Sequence, residues 1–323
     1  MNSPSRPRSR PAPDIAFVLP SGGSGGAVQV GILLAALEAG IRPDLLVGSS
    51  VGALNAAYLA TDPSVERVAG LAEIWQGLGR GDVFGSNHWY TVRRLAMRHD
   101  HIFSPAPLRS LIARFCPLER LEDARVPVQV VTTDLDHGVA RWWSRGAASE
   151  VLYAAACLPG LFPPAHLDGH RHVDGGVLEP VPVGRALDLD AATVYVLGEQ
   201  AGPEAESSRP RTALDVLIRS FDISRYARLP EPGAMGRPGQ RVVTLPGAAT
   251  TGIAITDFTH TARLITESYE ASRRFLAGRG YQGGLWDGGA SGHGDAARRA
   301  KSSTWRAISD LDNLEAVVVS PSR

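Results

Sequence analysis

Twice between Ile15 and Ala60 the chain runs an apolar strand into a glycine-rich turn and straight on into a helix. IAFVL, from Ile15, is followed by PSGGSGG and by an apolar helical stretch from Ala27 to about Ala39, which Gly40 would cap. DLLVG, from Asp44, passes through GSSVG (Gly48 to Gly52) into ALNAAYLA. A strand that gives way to a helix and then to a second strand returns by a crossover, so the two strands pair in parallel. The opening therefore predicts an α/β protein whose sheet is under way by Ser50.

The rest of the chain extends that pattern. Residues 1–13 are basic and Pro-rich with nothing to bury, and are expected to be disordered. Within a domain spanning 14–278, the region 62–122 reads as a helical, cap-like insertion, in which Ser104 caps a helix and Pro105 takes its first position. VPVQVVTTDL, from Val126, is the clearest strand, and ARWW after the DHG turn pairs with it as a hairpin. ATVYVLG and RVVTLP add two strands around a helix-like stretch at 214–225, and a last helix is expected over 257–277. Residues 279–323 are glycine-rich and weakly patterned, which reads as a flexible tail.

Composition narrows the partners. The chain has 323 residues, 44% of them hydrophobic, enough for a sizeable core. Acidic and basic residues balance at 33 each, so no net field draws nucleic acid. The N-terminus lacks the apolar stretch of a secretory signal and no run of about 18 apolar residues occurs, which predicts a cytoplasmic protein without a membrane span. Cys116 and Cys157 lack paired-ligand spacing and are expected to be reduced, buried thiols.

Three short stretches carry chemistry. In GSSVG the glycines let a strand turn sharply into a helix and aim the Ser50 hydroxyl out of the sheet edge, beside the positive end of the following helix. Chance matches are common with 35 glycines, so the strand-turn-helix context decides between a nucleophile and a mere packing turn; Ser49 is read as a turn residue. SGGSGG, Ser21 to Gly26, offers successive backbone N–H groups to an anion. It has no following GKS or GKT and lacks the first glycine of GxGxxG, so an oxyanion hole is a better reading than a nucleotide loop. In HVDGGV, Asp174 ends a short strand and could serve Ser50 as a base, although DGG is also an ordinary turn, as in WDGGA at Asp287. None of the nine histidines has a motif of its own; His170 and His172 read as partly exposed residues of a hairpin strand. HLDGHRH is too closely spaced for a tetrahedral metal site without distant carboxylates, so no metal is expected.

SGGSGG, GSSVG and DGG, in that order, together resemble the patatin-like phospholipases, with AVQVGIL, VVTTDLDHG and AAACLPGLFPP as similar supporting segments over Ile15 to Leu276. The resemblance implies a three-layer α/β/α fold with a mostly parallel central sheet, and a cofactor-free hydrolase of lipid or other acyl esters. Carried over by residue, Ser50 is the nucleophile between Gly48 and Gly52. Asp174, followed by Gly175 and Gly176, is the base of a Ser–Asp dyad without histidine, and the backbone of Gly22, Gly23, Ser24 and Gly25 is the oxyanion hole. Three positions depart from the family pattern: Ser21 replaces its first glycine, Gly25 stands where arginine or lysine is frequent, and Ala155 replaces a serine. Soluble esterase, thioesterase or acyltransferase activity, and a non-catalytic lipid-binding regulatory role, stand as alternatives. A Ser-His-Asp triad would have to recruit His260 or His293. Trp89, Tyr90 and Leu95 read first as core and second as an interfacial face for peripheral membrane contact.

Overall fold

The structure, a computed structural model, describes residues 12–85, 100–198 and 236–278, with Val216, Ser220 and Ile223 as single further positions. Expectations placed on residues 1–11, on Trp89, Tyr90 and Leu95, on most of 214–225, on the tail from 279, and on His88, His99, Asp287 and His293 lie outside the described residues.

The chain order is β1 (Ile15–Leu19), α1 (Gly26–Glu38), β2 (Leu45–Ser49), α2 (Val51–Ala60), α3 (Val65–Gln76), α4 (Arg80–Phe84) and α5 (Pro105–Phe115). It continues with β3 (Val128–Asp134), β4 (Val139–Trp143), α6 (Ala148–Ala156), β5 (Ala165–Leu167), β6 (His170–Asp174), α7 (Val183–Asp188), β7 (Thr193–Leu197), β8 (Arg241–Leu245) and α8 (Thr261–Gly278). The strands form one sheet whose hydrogen-bonded path is β5-β6-β3-β2-β1-β7-β8, with β4 added to β3. All pairs among β3, β2, β1, β7 and β8 are parallel, and the hairpin strands β4, β5 and β6 join antiparallel.

Side chains alternate between two cores. Phe17 and Leu19 of β1 and Leu46 of β2 face the larger core with α1, α2 and α6, while Ala16, Val18, Leu45 and Val47 face Val183, Ala186 and Leu187 of α7. Helices thus cover both faces of a mostly parallel sheet, which accounts for strands that are apolar throughout. α1 and α2 are apolar all round because each is buried on every side, and α8 closes over α1 as an amphipathic outer helix.

Local signals account for several element ends. Gly40 takes φ +82° after α1, the left-handed conformation that ends a helix without steric cost. Ser104 Oγ accepts from the amide of Ala106, with Pro105 in the first turn of α5. One boundary differs: α8 starts at Thr261, not at 257, because Asp257 Oδ1 accepts from both the amide and the hydroxyl of Thr259 and holds a turn there. Between α2 and β3, α3 packs on α1 and α2, α4 on α5, and α5 on α2 and α6; Phe84 stacks on Phe162 at 5.7 Å and Trp75 meets Phe115 edge-on at 6.1 Å.

Candidate active site

Ser50 stands between β2 and α2 with φ 55° and ψ −127°, a strained backbone for a residue with a side chain. Both flanking glycines are sterically required. A Cβ on Gly48 would lie 2.5 Å from the Ala53 Cα, and one on Gly52 would lie 2.1 Å from the Leu19 carbonyl oxygen. Helix α2 therefore passes almost in backbone contact with the end of β1, which forces the turn and leaves Ser50 as N-cap at the positive end of the helix. Its neighbour Ser49 is fully buried at the end of β2, and its Oγ has no hydrogen-bond partner. Ser49→Ala is expected to match or exceed wild-type stability by up to about 1 kcal/mol in a thermal melt, since the change removes an unsatisfied polar atom.

The strand registers bring Asp174 to Ser50. β4 covers one edge of β3 along Val130–Asp134, so β2 and β6 must share the other edge. The β2 register ends with Ser49 opposite Val131, and the antiparallel β6 ends with Asp174 opposite Thr132. The two strands thus abut end to end, and the residues at the junction are Ser50 and Asp174. Ser50 Oγ donates to Asp174 Oδ2 at 2.5 Å, and Asp174 Oδ1 accepts from the Gly176 amide at 2.7 Å. The pair is secluded, with Ser50 8% and Asp174 1% exposed. The group that the Ser50 hydroxyl meets is a carboxylate and not an imidazole.

The loop after β1 lies at the same sheet edge. Ser24 donates its amide to Ile255 O at 2.9 Å and its hydroxyl to Ala254 O at 3.0 Å, and the Gly25 amide goes to Gly22 O at 3.0 Å. Two of the four backbone donors expected of this loop, the amides of Ser24 and Gly25, are therefore committed within the fold. Ser21, in place of the family's first glycine, anchors the loop: its amide and hydroxyl donate to Pro180 O at 2.9 and 3.1 Å, just beyond the Asp174 segment. Opposite Gly25, a Cβ would meet only the Thr250 methyl at 3.6 Å, an ordinary contact.

A cavity of about 660 Å³, mouth included, opens beside Ser50. Its walls are apolar, with Leu54, Trp75, Phe84, Leu111, Phe115 and Phe162 among the residues that line it, and Gly23 and Ser50 at one side. Several wall residues come from α3, α4 and α5, the helical region between α2 and β3.

The structure corrects one histidine. His172 is 2% exposed rather than partly exposed, because β6 pairs with β3 and Trp143 closes edge-on over the ring. Its Nδ1 lies 3.0 Å from Thr132 Oγ1, which accepts from Trp143 Nε1 at 2.8 Å, and burial lowers its pKa. His170 meets His137 and Asp134, all three with a ligand-type atom within 4.8 Å of one another, so the fold does bring a distant carboxylate to HLDGHRH. That carboxylate is already satisfied. Asp134 Oδ1 accepts from the amides of Asp136 and His137, and Oδ2 from His137 Nδ1 and Arg141 Nε. Burial works against its charge, but the hydrogen bonds from His137 and Arg141 hold its pKa well below the usual carboxylate range. His260 lies 3.7 Å from Asp257 in its own turn. Both cysteines are free and buried, and burial pushes the Cys157 thiol up to about 12, so at neutral pH it is no rival nucleophile.

The family model described as "Patatin-like phospholipase" matches residues 17–187, more than half of the chain. The chain belongs to the patatin-like phospholipase family. Among the family members it resembles is an uncharacterized NTE family protein of Mycobacterium tuberculosis, 28% identical over 237 residues, which are 68% of this chain and 61% of that protein. Patatin-like phospholipase domain-containing protein 7 of Rattus norvegicus is 30% identical over 202 residues, 62% of this chain and 14% of that protein. Protein 6 of the same description, from Homo sapiens, is 29% identical over 196 residues, 60% of this chain and 14% of that one. The chain thus spans less than two thirds of the length of these relatives. Among solved structures, VipD from Legionella pneumophila superposes with a TM-score of 0.43 at 14% identity, covering 84% of this chain and 68% of that one. Within the patatin-like domain the matched region runs from β1 through α7 and so contains the loop after β1, Ser50 and Asp174.

Proposed function

We propose that this patatin-like protein is a serine acyl hydrolase that cleaves carboxylic ester bonds of lipids through a Ser50–Asp174 dyad. The observation that carries the reading is the 2.5 Å bond between a serine on a strained turn and a secluded aspartate, placed at the mouth of an apolar cavity. Asp174 takes the proton as Ser50 Oγ attacks the ester carbonyl, and the developing oxyanion meets the amides of Gly22 and Gly23 beside the positive ends of α1 and α2. Asp174 then returns the proton to the leaving alcohol or lysolipid. Water, deprotonated by the same carboxylate, hydrolyses the acyl-enzyme. The departures at Ser21 and Gly25 leave a backbone-built hole in place, because neither position supplies its side chain to the oxyanion in this arrangement.

The acyl chain lies in the cavity walled by α3, α4 and α5. Leu111→Trp, which fills part of it, is expected to lower kcat/KM for long-chain esters about tenfold or more relative to butyrate esters; an unchanged chain-length profile would place the acyl chain elsewhere. A lipid-class hydrolysis screen beside Ser50→Ala tests the function itself. Serine-dependent release of fatty acid from phospholipid or acylglycerol supports it. Turnover confined to short soluble esters or thioesters replaces lipid with a soluble substrate, and absence of both turnover and fluorophosphonate labelling leaves a lipid-binding scaffold. Among the described residues no helix is long and apolar enough to cross a membrane. Free, buried cysteines fit a cytoplasmic setting, and peripheral contact with the substrate's membrane is tested by liposome co-sedimentation.

A further inference from the structure

Two amide side chains sit inside helices that are otherwise apolar. Gln29 of α1 is 3% exposed and Asn55 of α2 is fully buried. Asn55 Nδ2 donates to Gly26 O at 3.1 Å and to Gln29 Oε1 at 2.9 Å, and its Oδ1 accepts from Trp75 Nε1 at 2.9 Å. Gln29 Nε2 in turn donates to Pro20 O at 2.6 Å. Every polar atom of the two amides has a partner. Truncating either amide would leave a buried partner, the Trp75 indole N–H or the Pro20 carbonyl, without its hydrogen bond, so the network contributes to stability as well as to geometry.

The geometric contribution concerns the loop after β1. Pro20 and Gly26 are the two ends of the loop that carries Gly22 and Gly23, and both carbonyls are held by it. Asn55 itself stands on the helix whose N-cap is Ser50, so the loop is referenced to the hydroxyl through one rigid element. Trp75 supports the arrangement from α3: its ring also lines the cavity, and a Cβ on Gly26 would lie 2.7 Å from the ring edge. Oxyanion donors act over a window of a few tenths of an ångström, and a misplacement of about 1 Å costs on the order of 100-fold in rate.

We infer that Asn55 and Gln29 are positioning residues that set the oxyanion-loop amides against Ser50, an inference that rests on the dyad reading above. The test compares wild type, Asn55→Leu, Gln29→Met and Gln29→Glu in the full chain, with p-nitrophenyl butyrate as substrate and active sites counted by fluorophosphonate titration. Each variant is expected to lose about 10- to 100-fold in kcat per titrated site with KM within about threefold. A trifluoromethyl ketone inhibitor should weaken by the same factor, because it reads the hole and not the ground state. Gln29→Glu keeps the acceptor toward Asn55 but loses the donor to Pro20, so it should behave like Gln29→Met. If Asn55→Leu does not fold, the two Gln29 variants carry the test. Per-site kcat within threefold of wild type, or a loss accounted for by the untitrated fraction, would overturn the inference while leaving the dyad untouched. A wild-type protein that neither turns over ester nor labels would overturn the dyad reading and this inference with it.

Discussion

Ser50→Ala is expected to reduce esterase turnover by about 10⁴- to 10⁶-fold, and Asp174→Asn by about 10⁴-fold, with both variants folded. In the proposed mechanism each removes one half of the proton transfer along the hydrogen bond from Ser50 Oγ to Asp174 Oδ2, whereas the turn, the loop and the cavity stay as they were. The two losses should not add in the double variant, because the residues act as one unit. A companion variant separates chemistry from stability. Ser50 holds a left-handed φ of 55°, which costs a side-chain-bearing residue about 1–3 kcal/mol, so Ser50→Gly should be as inactive as Ser50→Ala yet melt at a higher temperature. Steady-state turnover and thermal melts on the same preparations check both halves. Activity retained in either single variant would remove the residue from the mechanism.

Gly52→Ala is expected to be the most damaging single-methyl addition at the site. The new Cβ would stand 2.1 Å from the Leu19 carbonyl oxygen and 2.5 Å from that of Pro20, and both are backbone atoms that cannot rotate away. α2 would have to move off the end of β1, which separates Ser50 from the loop after β1 and opens the core between them. The cost is about 3 kcal/mol or more, read as a fall in Tm of about 10 °C or as failure to accumulate folded protein. A wild-type melting curve for this variant would mean that α2 does not approach β1 as described. The Ser49→Ala change is a control on the same turn with the opposite expectation.

The local half of this site was legible because its constraints are local. GSSVG needs small residues where backbone approaches backbone, and the strand before and helix after it are apolar enough to be read by pattern alone. β3 and its hairpin with β4 announce themselves by β-branched residues and a DHG turn. The meeting of β2 and β6 end to end along one edge of β3 is a matter of register between segments more than a hundred residues apart, which no short pattern encodes. The order of motifs implied the pairing of Ser50 with Asp174, and the register supplies its physical reason. His172 differs from its pattern for the same cause: alternation in HRHV suggests a half-exposed hairpin strand, but contact with β3 and Trp143 buries its inner residue. Asn55 and Gln29 carry a sequence signal of a weaker kind. A lone amide within AVQVGILLAAL or ALNAAYLA has no solvent face to occupy, so it must find a partner inside the fold.

The proposed mechanism requires that Ser50 become acylated by an ester lodged in the cavity beside it. Intact-protein mass spectrometry under single-turnover conditions with a slowly hydrolysed ester, followed by peptide mapping, detects that adduct. One added acyl group per chain is expected on the peptide containing Ser50, absent from Ser50→Ala and strongly slowed in Asp174→Asn. An adduct on another residue such as Cys157, or no adduct from a protein that still hydrolyses the ester, would contradict the mechanism.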